Sequence, residues 1–306
     1  LLAEPDPDVP PTLRAGALHG LGTFCHNAGD NAAARACHEE ALALYRALGD
    51  EQGMADELNS LAWVASELSD LDAAEALAQE ALALCTELGD VRGQALALNN
   101  LGWIANYRGD GASGRAFHGR SLALRDAIGD RRGVAFALTN LAWADVQAGE
   151  PTAGTPRLAK AERIVAELGD LLLLAWVRTM QAEVACAEGR SGDAEAALEE
   201  AQRLGERGGN LSIRAWSRMG RGEVALERGE ADRAREGLEA GLALWVQCGS
   251  DFGAARTRYG LARWHRRWGA EAEAEALARQ ALRAYERFGD ARRAAACRAL
   301  LAPSDG

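Results

Sequence analysis

The sequence predicts an all-α fold, an α-solenoid of about seven antiparallel helix pairs closed by a C-terminal capping helix. Three observations carry that expectation. Glycine recurs every forty residues, at 49, 89, 129, 169, 209, 249 and 289. With 34 glycines in 306 residues, chance agreement in one column has a probability on the order of 10⁻⁷. A second column, twenty residues away, reads Gly29, Ser69, Gly109, Gly149, Gly189, Gly229 and Gly269. The stretches between the two columns are rich in Ala, Leu, Glu and Arg, which favour helix.

Taken in order, residues 1–10 read as a connector, since Leu1 to Pro11 holds four of the seven prolines. The repeats follow at 11–50, 51–90, 91–130, 131–170, 171–210, 211–250 and 251–290. Within each, Gly suits the left-handed residue just past a helix end. Asp then follows, as at Asp30, Asp50, Asp70 and Asp90, and is a good N-cap for the next helix. Residues 291–306 supply a short closing helix, at about 291–302, and a tail. Small residues recur at Gly22, Ala62, Gly102, Ala142, Ala182, Gly222 and Ala262, where two helix backbones must approach. Large apolar residues such as Leu61, Leu101 and Leu141 fill the space between. One pair cannot bury its own apolar stripe, so neighbours stack and each repeat is expected to contact only the next.

Several function classes are disfavoured. The net charge of −11 argues against nucleic acid as a partner. No run of 18 apolar residues suggests a membrane span, and no signal-peptide pattern opens the chain, so a cytoplasmic location is expected. The six cysteines form no C-x-x-C and read as reduced thiols. Lys160 follows Ala159, so no phosphate-binding loop is present; G-x-S-x-G and H-E-x-x-H are also missing. No enzyme activity and no cofactor are expected. His19 and His26, seven residues apart, could share a helix face as a metal pair or stand solvated in a groove.

Large–x–x–Leu–small in the first helix (Leu58 to Ala62, Leu98 to Gly102), with Ala74 and Ala81 in the second, resembles the tetratricopeptide repeat over about residues 11–290. The resemblance implies a right-handed solenoid. Two features depart from it: the forty-residue period, longer than that family's usual unit, and Leu/Ile-Gly-Asp in place of its closing proline. The Leu-Gly-Asp and Asn-Asn-Leu-Gly-Trp motifs resemble the C-terminal sensor arrays of large bacterial LuxR-type ATP-binding regulators. That implies a non-catalytic sensor that binds a protein, a peptide or a small-molecule inducer. It also implies a nucleotide-binding module N-terminal to residue 1 in the same polypeptide. The alternative is a free-standing adaptor or peptide receptor.

The same resemblance places the first helix of each pair on a concave wall. Trp63, Trp103 and Trp143 then form a ladder with rungs ~10 Å apart, either gripping a ligand or filling space between helices. Asn59, Asn99, Asn100 and Asn140 would hold a peptide backbone, or else cap locally or bond between helices, and Thr139 faces the groove in the Asn59 and Asn99 column. Tyr107, Trp176 and Trp216 stand in adjoining columns. Residues 251–306 carry 11 Arg against 7 acids, with Arg256, Tyr259, Arg263, Arg266 and Arg267 on one helix. This basic end would bind a carboxylate, a phosphate or an acidic segment, or pair with Glu223, Glu227 and Glu230. Repeats 5 and 6 break the pattern at Leu171–Leu174, Gln181 and Arg221, which suggests either a changed helix register or a self-association patch.

Overall fold

A computed structural model describes residues 9–302, and the predicted connector lies almost wholly outside them. The described chain holds fifteen α-helices, and no strand occurs among the described residues. The first three pairs are α1 (Pro11–Ala28) with α2 (Asn31–Leu48), α3 (Glu51–Glu67) with α4 (Leu71–Leu88), and α5 (Val91–Tyr107) with α6 (Gly111–Ala127). Next come α7 (Arg131–Gln147) with α8 (Gly154–Leu168), and α9 (Leu171–Ala187) with α10 (Ser191–Arg207). Then follow α11 (Leu211–Arg228) with α12 (Ala231–Cys248), and α13 (Asp251–Trp268) with α14 (Glu271–Phe288). Helix α15 (Ala291–Leu301) closes the stack. The protein is an α-solenoid of seven tetratricopeptide-like helix pairs with a C-terminal cap.

The punctuation works as its chemistry requires. Every glycine of both columns has positive φ except Gly269 (φ −115°), and Ser69 at φ 64° takes the same left-handed turn without being glycine. Asp30, Asp50, Asp70, Asp90, Asp110, Asp130, Asp170 and Asp290 each accept a hydrogen bond from the backbone N–H three residues on. The turns before α10, α12 and α14 carry Arg190, Glu230 and Ala270 at the cap and lack that bond. The small column allows real contact between backbones: a Cβ added at Gly222 would come 2.6 Å from the backbone nitrogen of Leu238. Repeat 5 keeps the helix register, since α9 starts at 171 as α7 starts at 131. Gln181 there turns outward to bond Glu162 at 2.8 Å.

One expectation fails. Repeats do not touch only their neighbours, because the winding is tight enough to bring distant turns together. Asn31 Nδ2 donates to the Cys248 carbonyl at 2.7 Å, joining repeats 1 and 6. The rings of Tyr107 and Phe252 lie 4.3 Å apart, joining repeats 3 and 7. From the cap helix, Arg292 and Arg293 donate to Gln147 Oε1 at 2.9 and 2.7 Å. The hollow inner side is therefore bridged in the middle.

Candidate ligand-binding hollow

The bridge is built from the predicted ladder. Trp103 and Trp143 are 4% and 0% exposed, and their ring centroids are 4.7 Å apart. Trp63 packs edge-on to Trp103 at 5.4 Å. The rungs are about half as far apart as expected, because the large indoles of adjacent first helices reach toward one another and fill the space between them. Tyr107, Phe252 and Trp216 complete this plug around Trp143. The Trp103 and Trp143 indole N–H groups find no protein partner, so these rings act by packing. The ladder is a core, and Trp103, Trp143, Tyr107 and Trp216 present almost no surface to a ligand.

The asparagines are likewise engaged within the protein. Asn100 Nδ2 donates to the Asn59 carbonyl at 2.9 Å, and Asn140 Nδ2 to Asn99 Oδ1 at 2.8 Å. Trp176 Nε1 donates to Asn140 Oδ1 at 3.0 Å, and Thr139 Oγ1 donates to the Ala135 carbonyl. Only Asn59, Asn99 and Asn100 reach a hollow at all; Thr139 and Asn140 lie behind it.

The plug separates two hollows. The N-terminal one, about 710 Å³, lies over α1, α3, α5 and α7. It continues into a recess of about 340 Å³ that shares Trp63, Arg92, Leu96, Arg132 and Phe136 with it and ends at Trp176 and Leu172. Its wall is made by pairs one helical turn apart on successive first helices: Gln52 with Asp56, Arg92 with Leu96, Arg132 with Phe136, and Leu172 with Trp176. Leu96 is 37% exposed, and Phe136, Trp63 and Trp176 are half-buried. Arg132 is tied to Asp170 at 2.7 Å and Gln52 to Asp90 at 2.9 Å, whereas Arg92 makes no ion pair among the described residues. The character thus runs from acidic at Asp56 and Asp90, through cationic and apolar, to fully apolar at repeat 5. Burial pushes the Asp56 carboxyl up, and the nearby Asp90 adds to this.

At the floor of the recess Glu67 is buried and accepts from Tyr107 Oη at 3.3 Å. Burial lifts its carboxyl to about 7, with the Tyr107 bond pulling the other way. His26 accepts from Trp63 Nε1 through Nε2 (2.6 Å) and meets Asn31 Oδ1 through Nδ1 (2.9 Å), so it is not paired with His19. His19 instead faces Glu57 and His38. Its imidazole is raised by the hydrogen bond to Glu57, and burial opposes this. Burial pushes the Glu57 carboxyl up, but the bonds from both imidazoles outweigh it and the net shift is downward.

The C-terminal hollow, about 610 Å³, contains Arg256, Tyr259 and Arg263 of the predicted basic end. Their charge is spent internally. Arg256 forks onto Glu223 (2.9 and 2.6 Å), reaches Glu183 at 2.9 Å and stacks over Trp216 at 5.2 Å. Arg263 bonds Glu227 at 2.6 Å. Arg266 bonds Glu271, and Arg267 lies over the Trp268 ring. The basic end is largely an ion-paired wall: Glu223 and Glu227, one repeat back, and Glu183, two repeats back, meet Arg256 and Arg263.

The Trp176 column, read from the sequence as facing the groove, also holds Asp56, Leu96 and Phe136 of the wall of the N-terminal hollow; Arg92, Arg132 and Leu172, one turn away, went unread. Glu57 went unread too. The column there reads Ala17, Glu57, Ala97, Ala137, Val177, Ser217 and Thr257, and one acid among small residues was a visible signal.

Residues 13–87 and 212–287 match the tetratricopeptide repeat family. No curated protein matches the sequence. Among solved structures, the chain is similar to a Rap protein complexed with competence and sporulation factor (TM-score 0.60, 11% identity, 95% of this chain and 97% of that one). It is also similar to the apo form of RapI (TM-score 0.65, 12% identity, 90% and 98%). A third likeness is to the apo quorum sensor NprR from B. thuringiensis (TM-score 0.54, 12% identity, 96% and 88%). Aspartyl phosphate phosphatase F from Bacillus subtilis shares the fold too (TM-score 0.63, 9% identity, 93% and 72%). At these identities the likeness is one of fold.

Proposed function

We propose that this chain is a non-catalytic receptor domain that takes an extended peptide, free or part of a partner protein, in its N-terminal hollow. The observation that carries this reading is the wall itself. Four successive helices line it with pairs one turn apart, and on the middle two an arginine head stands one turn from an apolar side chain, in a space that the protein's own side chains leave open. An extended chain presents the same alternation of side chains and backbone amides. Aromatic and arginine side chains together are the usual anchors of such contacts. The similarity in fold to a protein solved with competence and sporulation factor, and to a quorum sensor, supports a receptor role.

The sequence motifs extend the reading to a setting. The array would be the sensor of an ATP-binding regulator, passing occupancy of the hollow to a nucleotide-binding module of the same polypeptide. Such coupling requires the two states to differ in ligand affinity. The alternative is a free-standing receptor that takes its peptide in the same hollow.

Selection from a displayed random-peptide library, followed by fluorescence polarisation with the winning sequences, tests the site. Phe136→Glu combined with Arg92→Glu is expected to weaken binding at least tenfold while the melting temperature holds. Unchanged affinity in that variant would remove the hollow from the account.

A further inference from the structure

We propose that His19, His38 and Glu57 form a site for one divalent metal ion of the zinc class, set in the wall of the N-terminal hollow. The three come from three helices, α1, α2 and α3. His19 Nδ1 lies 2.7 Å from Glu57 Oε1, and His38 Nδ1 lies 2.6 Å from Glu57 Oε2. One donor atom from each falls within 4.8 Å of the others, the only such three-residue group among the described residues. Two imidazole nitrogens and a carboxylate are the donor set of zinc sites that keep one position open.

Three further observations set this cluster apart from a structural ion pair. Glu57 is 0% exposed, yet its column elsewhere holds Ala, Val, Ser or Thr, so stacking of the repeats does not call for a carboxylate here. A carboxylate with no exposed surface buries a negative charge at high cost. A divalent cation offsets it. The His38 ring is also held in place: a Cβ at Gly22 would come 2.7 Å from its Nε2, so only glycine leaves room for the ring in this orientation. Finally, His19 is half exposed and both histidines line the hollow, which leaves the remaining coordination position within reach of solvent or of a ligand group.

The ion would tie the first helix pair to the second, coupling metal occupancy to the docking of α1. This inference does not depend on the peptide reading.

The full chain, stripped of metal with a chelator, is titrated with ZnCl2 by calorimetry and with CoCl2 by visible absorption. One equivalent is expected to bind per chain, with the intense visible bands of four-coordinate cobalt. Glu57→Gln and His19→Ala should each weaken binding more than ~100-fold, beyond the effect of losing an outer-shell partner. Cys37, a half-buried free thiol next to His38 in the sequence, is no part of the proposed donor set, and Cys37→Ser should leave binding unchanged. Because His19 is half exposed, His19→Ala keeps the fold, as circular dichroism will check, and it decides the matter if Glu57→Gln does not fold. No stoichiometric binding overturns the assignment, as does binding that withstands His19→Ala or disappears with Cys37→Ser.

Discussion

The two hollows share one repeat and use it in opposite ways. In the C-terminal hollow the inner positions of successive helices are Glu183, Glu223 and Arg256, and they bond one another across repeats. In the N-terminal hollow the inner positions are Leu96, Phe136 and Trp176, flanked by Arg92, which makes no ion pair among the described residues, and they leave space. A repeat scaffold does not decide whether its concave side is a surface or a filled core; the side chains one turn apart on the first helices do. The plug between the hollows is the limiting case, where Trp at that level and tight winding close the space entirely.

The largest effect should come from breaking the plug. Trp143→Ala removes a fully buried indole and is expected to cost ~3–5 kcal/mol in urea unfolding, far more than Leu96→Ala in the open wall. Equal losses at the two positions would erase the distinction between plug and wall.

Cutting the ion-paired wall comes next. Arg256→Ala leaves Glu183 and Glu223 facing each other, largely out of water, and should cost ~3 kcal/mol. It should leave ligand binding in the N-terminal hollow intact.

Glu67 tests the boundary between recess and plug through pH. Its folded value of about 7 stands above the ordinary glutamate value of 4.5, so the folded state holds the proton more tightly than the unfolded one. The contribution of Glu67 to stability is therefore fully present below about pH 4.5 and is lost as pH rises through 7, by about 3 kcal/mol in all. Glu67→Gln should match the wild type near pH 4.5 and be more stable at pH 8. Parallel pH–stability curves for the two proteins would show that Glu67 ionises freely in water.

The fold was legible because it is written in local terms. Gly49 to Gly289 mark left-handed turns, Asp caps follow them, and the Gly222 column marks backbone contact. Each of these depends on residues within one or two turns. The site was not legible in the same way, because whether Trp103 meets a ligand or Trp143 depends on the winding between repeats. That angle is the sum of many small packing contacts and has no motif. The Asn59, Asn99 and Asn100 pattern carries the same ambiguity, since an amide suits a neighbouring helix as well as a peptide. For the arginines of repeat 7 the sequence offered pairing with Glu223 and Glu227 beside ligand binding, and the structure takes the pairing; the reach of Arg256 to Glu183, 73 residues earlier, left no sign in the sequence.

The most direct test of the open N-terminal hollow is photocrosslinking to a library-selected peptide. Benzoylphenylalanine is placed at Leu96 in one protein and at Tyr259, in the C-terminal hollow, in another. The account predicts a covalent peptide adduct from position 96 and none from position 259. An adduct from position 259 alone would contradict it.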